Sequence, residues 1–321
     1  LYVAQQGGLP NRLFLHQADG SVREAGREAG LAFLENTRGV LFLDLDGDGD
    51  QDLLAGIGPN VLVCWNDGAG NFGEYTPLEG PRGAEVHSIA AADADGDGDL
   101  DLYAVRYNRT EGEGYFATLP VPYHDAHNGG SNLYWRNDGA RRFTLATAAV
   151  GLDAGNDRFS LAAVWEDLDE DGDPDLFVAN DFGLNNFYRN EGGQFHESAA
   201  EAGLTELAAS MGVSVGDFDR DGRADLYVSN MFSSAGLRIA SQADRFRAGD
   251  AEHNSRYLSH ARGNSLFRNL GGGRFEQVAE LAEVELGRWA WGAEFVDWNN
   301  DGWEDLYVPN GFVTGPDTDD L

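Results

Sequence analysis

Apolar residues in this chain come in short runs separated by clusters of Gly, Asn and Asp. Val40-Leu41-Phe42-Leu43, Leu161 to Trp165, Met211 to Gly216 and Trp291 to Val296 are too short for helices and rich in β-branched and aromatic residues. Such runs read as strands, and the Asn-Gly and Asp-Gly clusters between them read as hairpin turns. Each of these four runs leads into an acidic nonapeptide, and a second run such as Asp225-Leu226-Tyr227-Val228 follows it. A third run ends in an aromatic residue and Asn (Cys64-Trp65-Asn66, Trp135-Arg136-Asn137, Tyr188-Arg189-Asn190, Phe267-Arg268-Asn269). A Gly-rich turn then opens a fourth run at Phe72, Phe143, Phe195 or Phe275.

The acidic nonapeptides begin at 44, 93, 167, 217 and 297, a period of about 50 with two enlarged copies. Four antiparallel strands per 40 to 50 residues is the signature of a propeller blade. The expected fold is therefore all-β: a β-propeller of four-stranded antiparallel blades, with an acidic loop between the first and second strands. Full blades are expected at 39–78, 88–147, 161–198 and 212–278, with partial ones at 1–25 and 291–309. The tail 311–321 reads as loop, and the chain reads as one propeller fragment that starts within a repeat.

Each nonapeptide follows D-x-D/N-x-D-G-x-x-D. So many carboxylates within a few ångströms repel one another unless a cation sits among them. Positions 1, 3 and 5 turn side-chain oxygens inward, position 7 offers its backbone carbonyl, and position 9 closes the shell. The expected cation ligands are Asp44, Asp46, Asp48, Asp50 and Asp52 in the first loop, and Asp93, Asp95, Asp97, Asp99 and Asp101 in the second. The third contributes Asp167, Asp169, Asp171, Asp173 and Asp175, the fourth Asp217, Asp219, Asp221, Arg223 and Asp225, and the fifth Asp297, Asn299, Asp301, Trp303 and Asp305. All-oxygen donors without Cys or His point to Ca²⁺, at about five sites. An EF-hand is excluded because position 12 is Ala55, Ala104, Val178, Val228 or Val308, none of which ligates.

The chain carries 55 acidic and 22 basic residues, a formal charge of −33. Nucleic acid is an unfavourable partner for such a surface, and no run approaches the length needed to insert in a membrane. The single cysteine, Cys64, cannot form an intrachain disulfide and reads as a buried strand residue. Trp65, Trp135, Trp165, Trp289 and Trp291 read as packing between blades.

The combination of D-x-D-x-D-G-x-x-D-L-Y-V with N-x-L-(Y/F)-R-N-x-G-x-G-x-F resembles the FG-GAP and VCBS repeats, calcium-loop propeller repeats also found in integrin α chains. Pro122 to Gly130, Met231 to Ile239 and Pro309 to Asp317 look like the cartilage-acidic-protein-like group, whose members often carry a C-terminal ASPIC/UnbV domain. The resemblance implies a propeller of the seven-bladed type, here incomplete, in an extracellular, periplasmic or cell-surface setting.

Both enlarged repeats grow in the second turn, at about 106–131 and 232–263, on the face opposite the acidic loops. These insertions hold His124, His127, His253 and His260, and the second adds Arg238, Arg245, Arg247, Arg256 and Arg262. Ile239 to His260 reads as one helix, with Ser241 as N-cap and Gly263 as stop. His124, Asp125, His127, Arg245, Arg247 and His253 are the candidate ligand-binding residues, against a plainer reading as loop hydrogen bonds and local ion pairs. Three functions stay open: a protein- or glycan-binding adhesion module, an enzyme or accessory protein of secondary metabolism of the ASPIC/UnbV type, and a structural spacer. No nucleophile elbow, zinc motif or nucleotide loop is visible.

Overall fold

A computed structural model describes residues 1–5, 8–78, 80–109, 119–242 and 250–310. Among the described residues six antiparallel sheets follow one another along the chain, and a seventh, two-stranded one joins the fourth to the connection before the fifth. The first has three strands, β1 (Tyr2–Val3), β2 (Arg12–His16) and β3 (Val22–Glu24). The second is β4 (Thr37–Leu43), β5 (Asp52–Ile57), β6 (Asn60–Trp65) and β7 (Glu74–Leu78), and the third is β8 (Ala84–Ala92), β9 (Asp101–Arg109), β10 (Leu133–Asn137) and β11 (Phe143–Leu145).

In the fourth sheet β12 (Phe159–Glu166) and β13 (Asp175–Asp181) pair with β15 (Asn186–Asn190) and β16 (Phe195–Glu197). A short β14 (Gly183–Leu184) pairs instead with β17 (Leu207–Ala208) of the next connection, which also contains the one-turn helix α1 (Ala199–Ala202). The fifth sheet is β18 (Ser210–Gly216), β19 (Asp225–Asn230), β20 (Ser265–Asn269) and β21 (Phe275–Gln277), and the sixth is the hairpin β22 (Glu294–Val296) with β23 (Asp305–Tyr307). This is the all-β propeller architecture that the repeat predicts.

The Asp-Leu-(Leu/Tyr/Phe) signature shows its use in packing. Successive side chains of a strand point to opposite faces, so Leu53, Leu102, Leu176 and Leu226 enter the core shared with the preceding sheet. Leu54, Tyr103, Phe177 and Tyr227 enter the core shared with the following one. All eight are fully buried. Cys64 is buried in the core between the first two sheets, and burial pushes its thiol up to about 12. Trp65 and Trp135 are buried as expected, whereas Trp291, just before the last hairpin, is 52% exposed.

The second insertion differs from the single helix expected. Helix α2 (Ser234–Ala240) is capped by Ser233, whose side chain accepts from the Gly236 N–H, and it ends at Ser241. Helix α3 (Ala251–Ala261) is separate and packs against α2. Ser241 therefore closes one helix rather than opening another. Side-chain capping at Ser233 and packing of α2 on α3 override the continuous pattern.

Candidate functional site

The first turn of each acidic repeat is a closed network of backbone donors around carboxylates. The position-6 N–H of Gly49, Gly98, Gly172, Gly222 and Gly302 donates to the position-1 aspartate at 2.8–3.0 Å. These glycines have φ between +83° and +100°, a region that favours Gly. The position-7 N–H donates to the position-5 carboxylate in all five loops, at 2.8–3.1 Å.

Position 9 is a clamp. One oxygen of Asp52, Asp101, Asp175 and Asp225 accepts from the position-2 N–H, and the other from the N–H of Asn66, Asn137, Asn190 or Asn269 at 2.7–2.8 Å. Burial pushes Asp175 up to about 7, and Asp52, Asp101 and Asp225 up to about 6.

Four loops bring three carboxylates together with ligand atoms within 4.8 Å: Asp44, Asp46 and Asp48; Asp93, Asp95 and Asp97; Asp167, Asp169 and Asp175; Asp217, Asp219 and Asp225. The fifth loop, with Asn299 at position 3, forms no such triad among the described residues. Buried oxygens of Asp50, Asp93 and Asp169 have no hydrogen-bond partner. Convergent oxygens with orphaned acceptors fit a hard, oxygen-ligated cation.

At the other strand ends the two insertions meet. Within the first, the Ala126 and Gly130 N–H groups bond the Phe182 and Tyr107 carbonyls at 2.7 and 2.6 Å, laying the loop across the third and fourth sheets. From the second, His260 Nε2 lies 2.9 Å from the His124 carbonyl, and Tyr257 stacks on Tyr123 with ring centroids 6.3 Å apart and planes 17° apart. Tyr123 keeps 46% of its surface exposed.

Charged groups flank this stack. Arg158 donates to Asp125 at 2.8 Å, and His127 lies 3.1 Å from Asp157. Burial raises the Asp125 carboxyl, but the hydrogen bond and charge of Arg158 outweigh it and hold the group below the usual range. Deeper in, Tyr107 donates to Asp181 at 2.6 Å, and Phe182 has φ +58°, uncommon for a bulky residue. Arg38 contacts Glu85 (3.0 Å) and His87, whose ring lies 5.2 Å from that of Tyr107. Burial and the Arg38 charge lower His87 to about 4.

Of the six candidate ligand residues, His124, Asp125 and His127 lie in this cluster. His124 is buried with its ring 5.8 Å from Tyr257, and the carboxylate triads of the described residues all lie in the acidic loops instead. Arg245, Arg247 and the side chain of His253 lie outside the described residues. Tyr123, Arg158, Tyr107 and Asp181 escape the sequence reading. Arg158, the one basic residue between Arg142 and Arg189, is the signal that could have drawn attention to it.

The model of the FG-GAP-like repeat matches residues 44–104, 167–228 and 251–308, together more than half of the chain. The chain belongs to the FG-GAP-like repeat family. Among curated proteins none matches it significantly by sequence. Of solved structures, this FG-GAP-like propeller is similar to an Agrocybe aegerita lectin that recognises non-reducing terminal N-acetylglucosamine, with a TM-score of 0.51 and 16% identity over 96% of this chain and 73% of the lectin. A rhamnogalacturonan lyase of Bacillus licheniformis gives 0.40 and 13% over 96% of this chain and 59% of the lyase. A biofilm matrix protein of V. cholerae gives 0.39 and 16%, with 75% of this chain and 32% of that protein covered. The likeness to the lectin shows a shared fold. Among the described residues no helix is long and apolar enough to cross a membrane.

Proposed function

We propose that this FG-GAP-like propeller is a calcium-held binding module of an extracellular, periplasmic or cell-surface protein, and that its insertion face takes a glycan. The observation that carries the reading is the meeting of the two insertions, which sets the exposed Tyr123 ring on Tyr257 beside Asp125, His127, Asp157 and Arg158. An aromatic face for sugar C–H groups, flanked by fixed charged hydrogen-bonding groups, is the chemistry that selects a carbohydrate. The fold is one on which a sugar-recognising lectin is built, and Ca²⁺ suits the loops by donor type and by their orphaned oxygens. The stretches 122–130, 231–239 and 309–317 favour the cartilage-acidic-protein-like group within the family.

A glycan panel with the calcium-loaded protein tests the reading. Tyr123→Ala should weaken binding to the best glycan about tenfold, the scale of one aromatic contact, while the propeller stays folded with a melting temperature lowered only by the lost ring packing on Phe182 and Tyr257. Absence of any glycan binding by the wild type, or undiminished binding by Tyr123→Ala, would overturn it.

A further inference from the structure

In three of the loops an arginine grips the position-3 aspartate, and it arrives by two different routes. Arg189 and Arg268, each just before the terminal Asn of a third strand, turn onto Asp169 (2.8 Å) and Asp219 (2.6 Å) of their own sheets. In the second sheet the equivalent residue is Trp65, which carries no charge. Asp46 is held there by Arg141 from the third turn of the following sheet, with guanidinium nitrogens at 2.7 and 2.6 Å and the group 4.5 Å above the Trp65 ring.

Counting back from Phe143, Phe195 and Phe275, Arg141 stands where the later turns have Gly193 and Gly273. Those glycines lie against the same position of the preceding loop. A Cβ on Gly193 would fall 2.8 Å from the Asp95 Cβ, and one on Gly273 would fall 2.9 Å from the Asp169 Cβ and run into the Arg189 guanidinium. Where the strand supplies the arginine, the turn leaves room for it. Where the strand has Trp65, the turn supplies the arginine, although Arg141 must then adopt φ +60° after Ala140 at +52°. Arg136, the counterpart in the third sheet, pairs with Asp138 at 2.7 Å, so Asp95 carries no guanidinium ion pair among the described residues.

We infer that these arginines are specificity-determining partners of the acidic loops: each supplies a fixed partial counter-charge that weakens its loop's affinity for Ca²⁺ and holds the loop together before the ion binds. The inference rests on the reading of the loops as calcium sites. Ligand charge count tunes such sites towards about 10⁻⁴–10⁻³ M, the range of extracellular modules. The loop at Asp93 to Asp101, where Arg136 acts on Asp95 only from beyond ion-pair distance, is then the tightest of the four.

Calorimetric titration of the full chain with CaCl₂ tests this, alongside melts in chelator. Arg141→Gln and Arg189→Gln should each tighten one site about tenfold, as removal of a nearby positive charge predicts, and should lower the melting temperature of the chelated protein. The exchange Trp65→Arg with Arg141→Gly, which recreates the Arg189 and Gly273 arrangement, should restore wild-type affinity. Glutamine variants that bind Ca²⁺ no more tightly than the wild type would overturn the inference. A wild type that binds no Ca²⁺ would overturn the reading of the loops instead. Should Arg141→Gln fail to fold, Arg189→Gln, which gives up no ring contact, gives the same readout.

Discussion

The aspartate that closes each of the first four loops, Asp52, Asp101, Asp175 or Asp225, is held by two backbone N–H groups and still prefers a proton, because burial outweighs those bonds. An aspartate in an unfolded chain titrates near 4. A folded value raised to about 6 or 7 means that these groups favour the folded state fully below about pH 4, and that this contribution is lost as the pH rises through 6 to 7. In chelator the protein should therefore melt higher at pH 5 than at pH 8. Bound cation should flatten or reverse that slope, since protons then compete with the ion. Melting curves across this window with and without chelator check it, and a chelated protein that gains stability towards pH 8 would contradict it.

Between elements, the Asn that ends the third strand of the third, fourth and fifth sheets is a joint as well as a turn residue. Asn137, Asn190 and Asn269 reach back to the carbonyls of Leu45, Ala94 and Leu168 in the preceding loop, at 2.8–3.2 Å. Asn190 also donates to Pro174 and accepts from Gly193. Asn66 donates to Gln51 of its own loop, in an exposed setting. Asn190→Ala should cost about 2–4 kcal/mol, because it strands buried carbonyls, and Asn66→Ala clearly less. Urea unfolding of the two variants measures the difference, and equal costs would remove the joint. The N-x-L-(Y/F)-R-N signature made the turn legible, but not a partner 92 to 101 residues away. The periodicity of Ile239 to His260 likewise concealed the break at Ser241, where one helix ends.

Among the described residues five apolar cores, each shared by two consecutive sheets, tie the molecule together. A unit that buries one face on each neighbour takes much of its stability from the contacts between units. The acidic loops lie at these junctions, through Leu45 in one core and the asparagine joints. If the loops hold calcium as proposed, its loss should accordingly be felt across the whole chain. Each filled site adds about 4 kcal/mol at a thousandfold excess of ligand over Kd. Chelation with EGTA should lower the melting temperature sharply in one transition, and added Ca²⁺ should restore it. An unchanged melt with no calcium in the purified protein would rule out calcium as a structural element.

Strand order, loop position and the face that carries the insertions follow from local rules: alternation of apolar residues, glycine at positive φ, and a Gly-rich turn after the Asn of each third strand. The chain states these without help from its neighbours in space. Tertiary structure decided which distant groups meet. It set Tyr123 on Tyr257, Arg158 on Asp125 and Tyr107 on Asp181, and let Arg141 of one sheet stand in for the arginine that Trp65 displaces in another. Those pairings depend on how twisted sheets stack and on what room each side chain leaves, quantities that no window of sequence contains.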